Sequence, residues 1–142
     1  MAVMVQKATS APRSVTILGS TGSVGCSTID LIERNPDHYI VEALTARRNV
    51  DLLIEQAKKL NPRYVAIGDE EHYHAAKAGL SGHGIEVAAG ADAIVAAARR
   101  PSDFVMAAIV GAAGLAPTLA AVSRGAMVGL ANKECLVCAG SL

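Results

Sequence analysis

The sequence predicts an α/β domain: a doubly wound parallel sheet with helices on both faces. Three observations carry this expectation. Short β-type runs alternate with helix-patterned segments along the chain. The connections between them are short, which favours right-handed crossovers between parallel strands. The first strand run, Val15 to Leu18, is a compact apolar stretch of the kind found in strands covered on both faces. At 142 residues, the chain is long enough for one such domain and a full core without disulfide or metal staples.

Each element has its own local reason. Ser23 to Asn35 reads as a helix ended by Pro36, with Val24, Thr28, Leu31 and Ile32 expected on its buried face. Tyr39 to Thr45 is the second strand. Asn49 is placed to cap a helix whose stripe is Val50, Leu53, Ile54, Ala57 and Leu60, stopped by Pro62. Tyr64 to Ile67 is a third strand, with Asp69 expected to cap the helix that follows and Glu70 and Glu71 in its first turn. Ile85 to Ala88 is a fourth strand and Ala91 to Arg100 a helix. Phe104 to Val110 is a fifth strand, Leu115 to Arg124 a helix closed by Gly125, and Met127 to Ala131 a sixth strand. Residues 1–14 read as an N-terminal tail and 15–142 as one domain, with Leu142 falling inside a further helical start, as in a truncated piece.

Composition narrows the partners. The formal net charge is zero and there are only three Tyr and one Phe, so a basic stripe with stacking aromatics is absent and nucleic acid is not the expected partner. Phe104 to Val122 carries no charge but is interrupted by Gly111, Gly114 and Pro117 and rests mostly on Ala, so a strand, turn and helix explain it better than a membrane span. Three cysteines cannot all pair within one chain, and no signal or transit segment is evident, so a cytoplasmic location is expected.

In a doubly wound sheet, ligands bind beyond the carboxyl ends of the strands, and four segments stand there. Gly19-Ser20-Thr21-Gly22-Ser23-Val24-Gly25 joins the first strand to the first helix. Glycines let the backbone turn tightly and approach a pyrophosphate, helix N–H groups hold its charge, and Ser20, Thr21 and Ser23 offer hydroxyls. The spacing is G-x-x-G-x-x-G, and a plain structural turn is the alternative. Arg47 and Arg48 follow the second strand about twenty residues past the glycines, where NAD-binding domains place a carboxylate for the ribose. Two guanidiniums with no acid beside them suit a 2′-phosphate, hence NADP(H); two solvated arginines with Asn49 as a helix cap are the alternative. Gly111-Ala112-Ala113-Gly114 is equally readable as room for the nicotinamide half or as a tight turn. Asn132-Lys133-Glu134 can meet an anionic substrate and a polar cofactor group, or merely start a helix. Cys135 and Cys138 form an isolated C-x-x-C, without the second pair that zinc would need. His72 and His74 flank Tyr73 and make a poor ligand pair.

Taken in order, these segments resemble a known family. Gly19 to Gly25, Ala43-Leu44-Thr45-Ala46 with Asn49-Val50, Asn61-Pro62-Arg63-Tyr64, Ile109 to Leu115, Pro117-Thr118-Leu119 and Leu130 to Glu134 are similar to the 1-deoxy-D-xylulose 5-phosphate reductoisomerase family. The resemblance implies a Rossmann-like NADPH-binding domain. It also implies an enzyme of non-mevalonate isoprenoid synthesis that rearranges and reduces 1-deoxy-D-xylulose 5-phosphate to 2-C-methyl-D-erythritol 4-phosphate. It implies cofactor contacts from Thr21, Gly22, Ser23, Val24, Arg48, Asn49, Asn132 and Glu134, and a substrate contact from Lys133. A divalent cation, Mg or Mn, is implied as a Lewis acid. The metal ligands and catalytic lid are expected beyond this chain, which would then be inactive alone, and the full-length enzyme is expected to be a homodimer. Two positions depart from the family pattern: it has Gly or a small residue where Arg47 stands, and Ser where Cys135 stands. The departure at Arg47 leaves open which arginine meets the 2′-phosphate. Rival readings are a semialdehyde or homoserine dehydrogenase relative and a non-catalytic nucleotide sensor.

Overall fold

The computed structural model describes residues 11–131. They form one six-stranded sheet in the order β4-β3-β2-β1-β5-β6, with every pairing parallel. The strands are β1 (Arg13–Leu18), β2 (Tyr39–Ala46), β3 (Tyr64–Ile67), β4 (Glu86–Ala89), β5 (Phe104–Ala107) and β6 (Met127–Leu130). The helices are α1 (Ser23–Arg34), α2 (Val50–Leu60), α3 (Tyr73–Gly79), α4 (Ala91–Arg99) and α5 (Leu115–Ser123), with short 3-10 turns at Glu70–His72 and Ala112–Gly114.

The core divides into two layers, one on each face of the sheet. Val15, Ile17, Leu44, Val65 and Ile67 pack with Ile29 and Ile32 of α1, Leu53 and Ala57 of α2 and Ala76 of α3. Leu18, Ala43, Ala66 and Val105 pack on the other side with Ala93, Ala97 and Ala98 of α4 and Ala121 of α5. Small alanines on that second face let α4 and α5 approach the sheet closely, which is where much of the alanine in the composition goes. The expected doubly wound architecture is therefore present, and its chain reversal lies at β1, whose neighbours are β2 on one side and β5 on the other.

Several local expectations are corrected. The buried face of α1 is Gly25, Ile29 and Ile32, whereas Val24 is 41% exposed and Leu31 53%. The expected face is rotated because the helix is pressed against the glycine loop through Gly25, which fixes its orientation independently of the apolar stripe. β1 starts at Arg13, two residues before the expected Val15, since Arg13 N–H donates to the His38 carbonyl and Ser14 exchanges bonds with Asp103. β5 stops at Ala107, and Val110 is 89% exposed. The register of β1 on β2 shifts between Val15 and Thr16, so that Glu42 is passed over. That irregularity interrupts the period-2 pattern, and Glu42 is buried as the shared partner of Arg100 and Arg63.

Among the described residues, no helix is long and apolar enough to cross a membrane.

Candidate functional site

The loop between β1 and α1 is shaped by two glycines for two different reasons. Gly19 has φ +81°, and a Cβ there would lie 2.8 Å from the Ala108 carbonyl oxygen at the end of β5. Gly25, in the first turn of α1, lies so close to the loop that a Cβ would overlap the Gly19 carbonyl oxygen. Only a residue without a side chain satisfies either position. Gly22, the N-cap, differs: its Cβ would meet nothing nearer than 3.8 Å. The protein's own packing therefore leaves room for a side chain there.

The N-terminus of α1 is built for an anion. Its N-cap is a glycine with no side-chain capping bond, and its first turn holds no acidic residue. Helix-start N–H groups and the positive end of the helix dipole are thus presented to an incoming phosphate without a competing carboxylate. Gly22, Ser23 and Val24 are exposed and Thr21 is partly so.

Ser20 is a correction. Its side chain is fully buried, and its hydroxyl donates to Gln56 Oε1 at 2.8 Å while Gln56 Nε2 donates to the Ser20 carbonyl at 3.0 Å. Ser20 holds the loop to α2 and offers no hydroxyl to a ligand. A second tie comes from Thr45 near the end of β2, whose Oγ1 accepts from Gly19 N–H at 3.0 Å and whose carbonyl accepts from Ser20 N–H at 2.7 Å. Thr45 and Gln56 build the site although neither belongs to the glycine-loop motif. The available signal was Gln56 itself, a polar residue at a position flanked by Leu53, Ala57 and Leu60 on the buried stripe of α2.

Arg47 and Arg48 leave the end of β2, beside the loop's anchor at Thr45. Both are exposed, at 71% and 68% for the side chains. The expectation that no acid stands near them is overturned. Arg48 Nε forms an ion pair with Asp69 Oδ2 at 3.2 Å, and Arg47 Nε stands 3.8 Å from Asp69 Oδ1. Asp69 reaches them from the neighbouring strand, which sequence distance hides. It also does not cap the helix that follows, where no side-chain capping bond is made. Asn49 does cap: its Oδ1 accepts from Leu52 N–H at 3.2 Å. Among the described residues, Asp69, Glu71 and His72 bring ligand atoms within 4.8 Å of one another, but the Asp69 carboxylate is already engaged by two guanidiniums.

The turn at 111–114 is tight. Gly111 has φ +81° and caps the 3-10 turn, and Gly114 N–H donates to its carbonyl at 3.2 Å. It continues the same carboxyl-end rim, just past Ala108. Asn132, Lys133, Glu134, Cys135 and Cys138 lie outside the described residues.

The site is thus the carboxyl-end edge of a parallel sheet at its reversal point, where the glycine loop is tied to Thr45 and two exposed arginines follow the next strand. Residues 15–140 match the family model of 1-deoxy-D-xylulose 5-phosphate reductoisomerase. The chain belongs to that family. It is 62% identical over 130 residues to the 1-deoxy-D-xylulose 5-phosphate reductoisomerase of Rhodospirillum centenum, covering 92% of this chain and 32% of the relative. The Bradyrhizobium diazoefficiens enzyme of the same name is 57% identical over 133 residues, covering 94% and 33%. The fold superimposes with a TM-score of 0.90 on the Zymomonas mobilis reductoisomerase solved in complex with NADPH, at 55% identity, covering 93% of this chain and 35% of that one. A reductoisomerase solved with NADPH, fosmidomycin and magnesium gives a TM-score of 0.86 at 38% identity, covering 92% and 32%. The chain spans about a third of the length of these relatives.

Proposed function

We propose that this chain is the NADPH-binding part of a 1-deoxy-D-xylulose 5-phosphate reductoisomerase. One observation carries the reading. At the reversal point of the sheet, a glycine-capped helix start without an acid in its first turn faces the same rim as two exposed arginines. That is a place for a dinucleotide with an extra phosphate, and the group fits these residues. Thr21, Gly22, Ser23 and Val24 would line the pyrophosphate, the Gly22 N–H being already turned to the Gly19 carbonyl at 3.4 Å, and Arg47 and Arg48 would hold the 2′-phosphate. Asn49 contributes by its place in the turn, its side-chain oxygen being used to start α2. Asn132 and Glu134 complete the cofactor contacts and Lys133 meets the phosphorylated substrate.

When bound, NADPH supplies the hydride. The residues of this chain bind and orient it: the loop fixes the pyrophosphate, the arginines fix the adenosine end, and the rim at Gly111 bounds the crevice near the nicotinamide half. The substrate's rearrangement and a divalent cation, Mg or Mn, belong to the two thirds of the relatives that this chain does not span. On this reading the chain alone binds cofactor without turnover, the whole enzyme is a homodimer, and it works in the cytoplasm on isoprenoid precursors.

Titration of the chain with NADPH and NADH, followed by nicotinamide fluorescence, tests the reading. NADPH is expected to bind more tightly than NADH by at least tenfold, about 1.4 kcal/mol. Equal affinity, or preference for NADH, overturns it.

A further inference from the structure

We infer that Asp69 is a positioning residue that sets the preference of this site for NADPH over NADH, by holding Arg47 and Arg48 together. The inference rests on the reading that the two arginines receive the 2′-phosphate.

The geometry is specific. Asp69 is carried to the arginines by a continuation of the β2–β3 pairing beyond the strands. Gly68 N–H donates to the Ala46 carbonyl at 2.8 Å, and Asp69 N–H to the Arg47 carbonyl at 2.9 Å. Its side chain is only 28% exposed, against 71% and 68% for the two arginines it faces. One oxygen takes Arg48 and the other faces Arg47. In both cases the nearest guanidinium nitrogen is Nε, the one closest to the stem. A guanidinium engaged at Nε keeps its outer edge for a second, planar-accepting anion.

Asp69 acts on the bay in two opposite ways. It adds a negative charge, which weakens attraction for a phosphate. It also gathers two like charges that stand on adjacent residues, repel one another and otherwise swing on long exposed stems. The second effect wins because the ordering of both forks is provided before the ligand arrives, while Glu71, whose carboxylate also lies within 4.8 Å of the Asp69 carboxylate, faces His72 at 3.7 Å. Gly68 fits this arrangement, since a Cβ there would lie 3.3 Å from Arg47 Cα and crowd the strand end that presents the first arginine.

The test is Asp69→Asn in this chain, which keeps the shape and removes the charge. NADPH and NADH are titrated separately, with the thermal midpoint measured alongside. The ratio of NADH to NADPH dissociation constants is expected to fall about three- to fivefold, as befits partly exposed ion pairs. The NADH constant should stay unchanged, and Asp69→Glu should recover part of the ratio. A merely structural role would move both cofactors together. An unchanged or increased ratio in Asp69→Asn overturns the inference while leaving the NADPH reading intact. If the unsubstituted chain shows no preference for NADPH, the underlying reading fails instead.

Discussion

Gln56 and Ser20 exchange two hydrogen bonds: the serine hydroxyl donates to the amide oxygen at 2.8 Å, and the amide nitrogen returns one to the serine carbonyl at 3.0 Å. Both residues are buried, so neither can turn to water if the other is lost. Gln56→Leu should therefore destabilise the chain by about 1–3 kcal/mol, the cost of stranding buried polar groups, and loosen the phosphate loop. Urea unfolding measures the first effect and NADPH titration the second. A variant as stable as the parent would show that the pair is not what anchors the loop.

The two glycines that flank the start of α1 should respond in opposite ways. Gly25→Ala drives a methyl into the Gly19 carbonyl and the Ser20 backbone, and the expected loss is about 3 kcal/mol. Gly22→Ala has open space, so stability should change by less than about 1 kcal/mol, while NADPH affinity falls by about tenfold. Circular dichroism melts together with cofactor titration separate the two. Equal melting behaviour would remove the distinction drawn between an internal and a ligand-facing requirement.

Glu42 is a buried acid held by Arg100 Nε at 2.8 Å, with Arg63 at 3.8 Å. Glu42→Gln should cost about 1–3 kcal/mol. The cost is limited because Arg63 is well exposed and Arg100 partly so, and both rehydrate when the carboxylate goes. Chemical denaturation checks this. Since Glu42 stands in the register shift of β2 and away from the carboxyl ends, NADPH binding in the folded fraction should be unchanged.

Tyr64 gives a pH signature. Burial, then the charge of Glu86, push its phenol above the ordinary value of 10.0, against a smaller lowering by Arg100. Its hydroxyl donates to the Ala93 carbonyl at 2.9 Å, a bond that the phenolate cannot make. The raised folded-state value means that the unfolded chain loses this proton first as pH rises. The stabilisation is therefore complete below pH 10 and is lost as pH climbs through the folded value. Melting temperature between pH 8 and 11 should fall less steeply in Tyr64→Phe than in the parent. Identical slopes would mean that Tyr64 does not govern the alkaline limb.

Much of this was legible in the sequence, and the exceptions share a cause. The strands, the glycine loop and the two arginines are local signals, readable from apolar runs and turn residues within a short window. The Asn49 cap is local too, and it is made as expected. Asp69 was not legible as an arginine partner, because only the parallel pairing of β2 with β3 brings it to Arg48. Ser20 looked like a ligand donor since its burial comes from α2, far along the chain. The face of α1 departs from its apolar stripe, since Val24 and Leu31 are apolar yet exposed and the close approach at Gly25 sets the orientation instead. Periodicity reports what a helix could bury, whereas the contact at its first turn decides what it does bury.

The contact between Gly19 and Ala108 also bears on the order of assembly. The loop that follows β1 is shaped by a carbonyl that is synthesised only after five strands and four helices have passed. At the opposite end of the same strand pair, Ser14 and Asp103 lock together across a separation of 89 residues. Closing so long a loop is entropically unfavourable and slow relative to hairpins or single helices. A nascent chain can thus complete β1 through β4 as a half-sheet with one side of β1 unpaired, and gains its cofactor crevice only when β5 arrives. Cofactor present at that moment would favour the docked form by mass action, so NADPH should speed or deepen refolding as well as raise the melting point.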